Sequence, residues 1–353
     1  MCTKINDSAF YNCSYLAEVN FPMCTNIGSN AFYNCSKLTT INFPSCKTIS
    51  GNAFYNCSKL TTINFSVCTS IEYSAFYKCI NLTTVSFPMC THISANAFYG
   101  CYNLTTVSFP MCTHISANAF YNCSKLTTIN FPECIYVSGS AFYSCSRLTT
   151  AIFPVCSAIN ADAFYNCYNL TTVNLPACKT IGSYAFRYCS NLTTISFPAG
   201  EYIFQSAFQN CYNLKSLYLT GSSVCGLAYS NAFSSTPIGG YSASAGTYGS
   251  IYVPASLIDA YKTATNWKYF SSRFVAFDAA NLITFTIDGT EYQAEEGMTW
   301  SEWVDSEYNT GNWMFDTADG VFEEVDWTLV TDQNGTLLIK NPMIIDGYDY
   351  LVR

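Results

Sequence analysis

Residues 31–52 read AFYNCSKLTTINFPSCKTISGN and residues 53–74 read AFYNCSKLTTINFSVCTSIEYS, two near-copies of one 22-residue unit. The Ala-Phe pair that opens them recurs from Ala9-Phe10 to Ala207-Phe208, ten times at 22-residue spacing without slippage. A fixed short period marks a supersecondary unit that cannot bury its apolar face alone and must stack on its neighbours, the signature of a solenoid. Function in such a fold belongs to a long exposed face and not to a pocket.

Within one unit, Leu38-Thr39-Thr40-Ile41-Asn42-Phe43 ends in alternation. Ile41 and Phe43 point one way and Thr40 and Asn42 the other, as in a half-buried strand. Pro44 stops the strand. Cys46, Ile49, Ala53, Phe54 and Cys57 supply the remaining apolar positions. A loop with one short helical turn around Ala53 to Cys57 is expected to return the chain.

The pattern L-x-x-I-x-F-x-x-C-x-x-I resembles a leucine-rich repeat. The unit with its A-F-Y-N-C turn is similar to repeats of the BspA type, found in bacterial surface proteins, some protist surface proteins and gut-bacterial phages. The likeness spans residues 2–235. It implies an α/β solenoid, a curved leucine-rich repeat with a parallel β-sheet on its concave face, and right-handed coiling is the default for parallel connections. It also implies a non-enzymatic adhesion or recognition protein that is extracellular, on a cell surface or a virion, and binds a host protein or glycan. The alternative is a structural spacer or self-assembling component, for example of a phage tail fibre.

Charged residues are 11% of the chain and apolar ones 50%, so the exposed surface is covered largely by Thr, Ser, Asn and Tyr. The net charge of −8 is unevenly placed: residues 1–277 carry 13 Lys+Arg against 7 Asp+Glu, and residues 278–353 carry 2 against 16. The shift from +6 to −14 marks a boundary near Asp278. Three regions are expected: the solenoid over 1–236, its C-terminal cap over 237–277, and a small acidic α+β module over 278–353, resembling a β-grasp.

In the cap, Ile251–Pro254 reads as a strand and Ala255 to Trp267 as a helix, with Phe270, Phe274, Val275 and Phe277 completing an apolar plug. In the module, Ile283–Ile287 and Glu291–Ala294 read as one hairpin, Phe322–Val330 and Leu337–Ile339 as another, and Tyr348–Val352 as a last strand. Thr299-Trp300-Ser301-Glu302 is a capping box for a short helix. Asp316–Gly320 is a partial match to a Ca²⁺ loop, the carboxylates between Glu291 and Glu296 read as solvated surface, and Trp300, Trp303, Trp313 and Trp327 read as core. The module would dock the chain to a larger virion or cell-surface assembly.

No Lys/Arg cluster tracks phosphates, which argues against nucleic acid, and no apolar run approaches a membrane span, which argues against membrane insertion. Met1-Cys2-Thr3 aligns with the middle of a repeat, as in Met23-Cys24-Thr25. Upstream repeats, a cap or a secretion signal are therefore expected before it.

All 20 cysteines fall in two columns. Cys13, Cys35, Cys57, Cys79, Cys101 and Cys123 belong to one, and Cys24, Cys46, Cys68, Cys90, Cys112 and Cys134 to the other. Each column sits where the repeat demands a small buried residue, so free core thiols are expected. Disulfides would pinch alternate rungs of a uniform stack. No Cys-x-x-Cys pair invites a metal, and no cofactor is expected.

Two columns face outward from the strand. The candidate ligand-binding positions are Thr40, Asn42, Thr62, Asn64, Thr84, Ser86, Thr106, Ser108, Thr128, Asn130, Ile152, Asn174 and Tyr218. They read as a hydrogen-bonding platform for a glycan or protein, but the strand propensity of Thr accounts for its own column equally well. A tyrosine ladder from Tyr11 to Tyr165 breaks at Arg187 and Gln209 and offers either contact surface or mutual ring packing. His92 and His114, the only histidines, occupy equivalent positions in two copies whose segments Phe87–Tyr99 and Phe109–Tyr121 are identical, so duplication explains the pair better than a metal site. No triad, phosphate loop or His-rich motif appears, and no catalytic residue is assigned.

Overall fold

The computed structural model describes residues 2–240 and 248–277, and beyond them the strands Leu282–Ile287, Thr290–Glu295, Thr328–Thr331, Leu337–Lys340 and Tyr350–Leu351. The chain divides into two compact units, Met1–Ala276 and Phe277–Arg353.

The first unit is a solenoid of parallel strands, with two strand columns per rung instead of the single one that the alternation at 38–43 predicts. The first column has three-residue strands such as Thr40–Asn42, Thr84–Ser86 and Thr128–Asn130. They pair parallel and in register, Thr128 with Thr150 and Thr150 with Thr172, in sheets of two to four strands. The second column has two-residue strands, beginning Lys4–Ile5, Asn26–Ile27 and Thr48–Ile49, and forms one unbroken parallel sheet of eleven strands ending at Gly226–Leu227. Two residues are too few to display alternation, so only the buried Ile, Val or Leu of each announces it.

The helical turn expected at 53–57 does not form. Asn52 and Asn56 both sit at φ 56°, in the left-handed region that interrupts a right-handed helix. Tyr55 N–H donates to the Asn52 carbonyl and Cys57 N–H to the Phe54 carbonyl, closing tight turns. The alternate amides of Asn52, Phe54 and Asn56 donate instead to Tyr73, Ala75 and Tyr77 of the next rung. A third column of inter-rung hydrogen bonds thus stands where a helix was expected. Asn tolerates this conformation better than most side chains, which is the physical content of the paired Asn in Asn30-Ala31-Phe32-Tyr33-Asn34 and its copies.

Stacked side chains fill the interior. Phenylalanine rings stack from Phe10 to Phe233 at 5.0–5.5 Å between successive centroids. A second column runs from Phe21 to Phe153 at 5.4–6.1 Å. Such pairs contribute about 0.5–1.5 kcal/mol each beyond their burial.

None of the cysteines is in a disulfide; 18 are buried, and Cys2 and Cys13 in the first rung are exposed. The buried thiols donate to backbone carbonyls: Cys57 to Phe32 at 3.1 Å in one column, Cys46 to Thr48 at 3.3 Å in the other. The Phe32 carbonyl already accepts the Cys35 N–H, so the thiol occupies its second lone pair. The second column skips at Gly200, where the Phe197 ring takes up the space: a Cβ there would lie 2.1 Å from it.

At the end of the solenoid, Ser250–Pro254 runs parallel to Ser216–Tyr218 and extends the three-residue column. The helix expected through Trp267 is shorter, Ile258–Thr263. It ends where Ala264 turns extended at ψ 149°; Asn266 follows at φ 65°, and its amide donates to the carbonyls of Leu227 and Ala228 at 2.9 and 2.8 Å. Trp267 Nε1 donates to the Cys225 carbonyl at 2.6 Å, and Cys225 N–H to the Tyr261 hydroxyl at 2.9 Å, so both buried aromatics are satisfied. Val275, expected in the apolar plug, is 40% exposed, because strand alternation turns it away from buried Phe274.

In the second unit, Leu282–Ile287 pairs antiparallel with Thr290–Glu295, and Leu337–Lys340 pairs antiparallel with Thr328–Thr331 and Tyr350–Leu351. The capping box at 299–302 and its helix, the loop 316–320, Glu296 and the tryptophans Trp300, Trp303, Trp313 and Trp327 lie outside the described residues.

Candidate functional site

Successive threonines of the Thr-Thr pair have opposite fates. The hydroxyls of Thr39, Thr83, Thr105, Thr149 and Thr171 donate to the carbonyl 22 residues earlier at 3.0–3.2 Å and are committed to the stack. One residue on, Thr40, Thr62, Thr84, Thr106, Thr128 and Thr172 are exposed, and their hydroxyls bond to no described residue. Thr39 and Thr40 are both exposed, so the division lies in hydrogen bonding: Thr39 precedes the strand and bonds to the rung before it, while Thr40 stands outward in the strand beside Asn42.

The neighbouring column is also ordered by the pairing. Asn42, Asn64, Ser86, Ser108 and Asn130 are exposed, while Ile152, Asn174 and Tyr218 are half-buried. Ser86 lies opposite Ser108, Asn130 opposite Ile152, and Tyr218 opposite Tyr252. Asn42 Nδ2 donates to Asn20 Oδ1 at 2.9 Å, leaving its carbonyl oxygen outward. The rings of Tyr218 and Tyr252 stack at 4.4 Å, giving the face an aromatic end. Chemically this is a row of uncharged donors and acceptors that suits sugar hydroxyls or peptide groups.

The tyrosine ladder is packed differently. Eight rings from Tyr11 to Tyr165 stack at 4.5–4.9 Å. Burial, with neighbouring tyrosines, raises the hydroxyls of Tyr55 and Tyr99 and pushes Tyr143 up to about 12. A ring stacked on both faces has neither left for a sugar, so the inner tyrosines offer only edges and hydroxyls.

His92 and His114 lie 5.9 Å apart, His92 Nε2 within 3.0 Å of Ser116 Oγ and His114 Nδ1 within 2.9 Å of Thr113 Oγ1. Burial and then His114 lower the pKa of His92. Among the described residues no three His, Cys, Asp or Glu side chains are grouped to hold a metal ion. Burial holds the thiols of Cys57, Cys79, Cys123, Cys167 and Cys189 protonated, well above the ordinary thiol range, which removes them as nucleophiles. No described helix is long and apolar enough to cross a membrane.

Residues 3–123 and 113–238 match the family described as the BspA type leucine rich repeat region, in six copies. The chain belongs to that family. Among solved structures it is similar to a leucine rich cell surface protein of Faecalibacterium prausnitzii, at 24% identity over 76% of this chain and 86% of that one, with a TM-score of 0.41. A leucine-rich repeat protein of Bacteroides ovatus is 22% identical over 78% and 88% of the two chains, with a TM-score of 0.38. The pneumococcal vaccine antigen PcpA is 17% identical over 78% and 69%, with a TM-score of 0.36. No curated protein matches the chain.

The BspA-type rung brings the candidate positions into two adjacent outward columns, except at Thr62 and Asn64, where the strand reduces to a single bridge from Thr62 to Thr84. Ser250 and Tyr252 continue both columns into the cap. Sequence reading assigns them to the cap alone, although the shared Ser-apolar-Tyr triplet of Ser216–Tyr218 and Ser250–Tyr252 is a signal for them. The structural role of the Thr39 column has no sequence signal, since both threonines of the pair repeat equally well.

Proposed function

We propose that this BspA-type solenoid is a non-enzymatic recognition protein that acts at a cell surface or on a virion. It binds a host surface protein or glycan through the face formed by Thr40, Asn42, Thr84, Ser86, Thr128, Asn130 and their equivalents. The observation that carries this reading is the contrast within four of the Thr-Thr pairs, at 39–40, 83–84, 105–106 and 171–172: the first hydroxyl is committed to the stack, and the second is exposed and bonds to no described residue. The variation beside it, from Asn and Ser to Ile152 and Tyr218 over a nearly constant core, supports the same reading.

The second reading, a spacer or self-assembling component, draws support from the identity of Phe87–Tyr99 and Phe109–Tyr121, which repeats the same outward residues twice. An array of glycans and host surface proteins, probed with the full chain and with the Asn42→Ala, Asn64→Ala, Asn130→Ala variant, separates the two. Saturable binding that the variant loses is the expected result. A silent array with a well-folded chain would favour the spacer.

A further inference from the structure

Stacked copies allow each rung to be compared with its own neighbours, and one rung departs at three positions together. The left-handed positions of the tight turn hold Asn, Ser, Asp, Lys or Gly in the other regular rungs; in this rung they are Tyr184 at φ 61° and Tyr188 at φ 65°. A bulky ring is rare in that conformation, and such strain persists where something else over-determines it. Between them, in the column that carries the tyrosine ladder as far as Tyr165, stands Arg187.

The three rings surround the guanidinium. Its carbon lies 5.7 Å from the ring centroid of Tyr165, 5.5 Å from that of Tyr184 and 5.0 Å from that of Tyr188. Tyr165 and Tyr188 meet edge to face at 5.5 Å. Arg187 Nε is buried with no hydrogen-bond partner, and the side chain forms no ion pair among the described residues. Asp162 senses its charge without bonding to it. The next rung places Gln209 in the same column, its carbonyl accepting the Tyr188 N–H and its side chain half-buried.

Stacking alone does not account for this arrangement, since a tyrosine at 187 would continue the ladder. An unpaired guanidinium is a planar fork matched to a carboxylate, weakly hydrated and always charged. Tyrosine rings and hydroxyls around it suit the flat face and hydroxyls of a sugar. With Asp162 nearby, the local charge favours a ligand carrying one carboxylate among hydroxyl groups over a polyanionic peptide. We propose that Arg187, ringed by Tyr165, Tyr184 and Tyr188 with Gln209 and Asp162 beside it, binds the carboxylate of an acidic sugar. The proposal rests on the recognition reading and places a second contact apart from the strand face.

The test titrates glucuronic acid and N-acetylneuraminic acid, each alongside its methyl ester, into the full chain by ligand-observed NMR. At least one acid should bind, with its ester weaker by about tenfold or more, the scale of one lost charge-assisted pair. Arg187→Tyr restores the residue that the rungs from Tyr11 to Tyr165 carry; it should melt no lower than the parent and lose acid binding by a similar factor. Arg187→Gln should do the same, and the Asn42→Ala, Asn64→Ala, Asn130→Ala variant should bind the acids unchanged. Equal binding of acid and ester, undiminished binding by folded Arg187→Tyr, no saturable binding of either acid, or capture of poly-glutamate with neither acid bound would each overturn the proposal. Array binding that survives Arg187→Tyr but not the strand-face variant would remove this site and leave the recognition reading standing.

Discussion

Raising the pH should unfold the solenoid over a narrow range, because its core is lined with thiols that must stay protonated. Burial pushes Cys46, Cys68, Cys112, Cys145, Cys178 and Cys225 up to about 12 from an ordinary 9.0. Below pH 9 both the folded and unfolded chains hold these protons, and the contribution to stability is fully present. Above pH 9 the unfolded chain releases protons that the fold retains, so stability falls as pH rises towards the folded pKa near 12. Each such thiol costs about 1.4 kcal/mol per pH unit, so these thiols together cost about 8 kcal/mol per pH unit, against a total of about 5–15 kcal/mol for an ordinary domain. Melting followed by circular dichroism in reductant, from pH 7 to 11, should show a plateau to about pH 9 and a steep fall within about two units above it. Replacing Cys112 and Cys145 together by Ala should flatten the slope by only about an eighth, after allowance for the lower starting stability, because burial raises the other core thiols too, Cys57, Cys79, Cys123, Cys167 and Cys189 among them. A melting temperature that stays level to pH 11, or falls no more steeply than one titrating group requires, would refute the reasoning.

Two other outcomes follow from the same geometry. Alkylation of the folded chain at pH 8, mapped by mass spectrometry, should modify Cys2 and Cys13 rapidly and the 18 buried cysteines only after denaturation; uniform labelling, or masses lowered by paired sulfurs, would contradict the packing. Asn56→Ala should destabilise the chain by about 1–2 kcal/mol in urea titrations, through its φ of 56° and the lost 2.8 Å amide bond to Asn34, whereas Asn56→Gly loses only the bond; equal effects of Ala and Gly would argue against a left-handed turn.

Periodicity makes the solenoid legible at a glance, because spacing is a property of the sequence itself. The buried positions Phe43, Cys46, Ile49, Phe54 and Cys57 follow from it, as does the strand at Thr40–Asn42. What the sequence hides is the backbone between Ile49 and Cys57. Apolar residues at Ala53, Phe54 and Cys57 have helical spacing, yet the asparagines at 52 and 56 take left-handed φ and send alternate amides to the next rung. The spacing reports which side chains are buried, while the asparagines decide how the backbone carries them. The same limit applies to the candidate face: pattern alone distinguishes neither Thr39 from Thr40 nor a capping strand from one that adds Tyr252 to the row.

If the proposed recognition reading holds, the stack divides the labour of binding between sameness and departure. Rungs at strand spacing, about 4.8 Å apart, present equivalent hydroxyls from Thr84, Thr106 and Thr128, so a ligand that repeats along its own length can engage several weak contacts at once and gain by multivalency. Such a row discriminates little, because every rung offers the same group and almost no charge. Discrimination has to come from rungs that break the pattern, where a ligand gains or loses a contact its neighbours do not supply. Ile152, the stacked pair Tyr218 and Tyr252, and Arg187 among its tyrosines are such breaks, and all of them lie in the C-terminal part of the solenoid or its cap. Affinity spread along the uniform rungs and specificity gathered at the irregular ones is the arrangement this core can support, since the buried residues that hold both kinds of rung together are nearly the same.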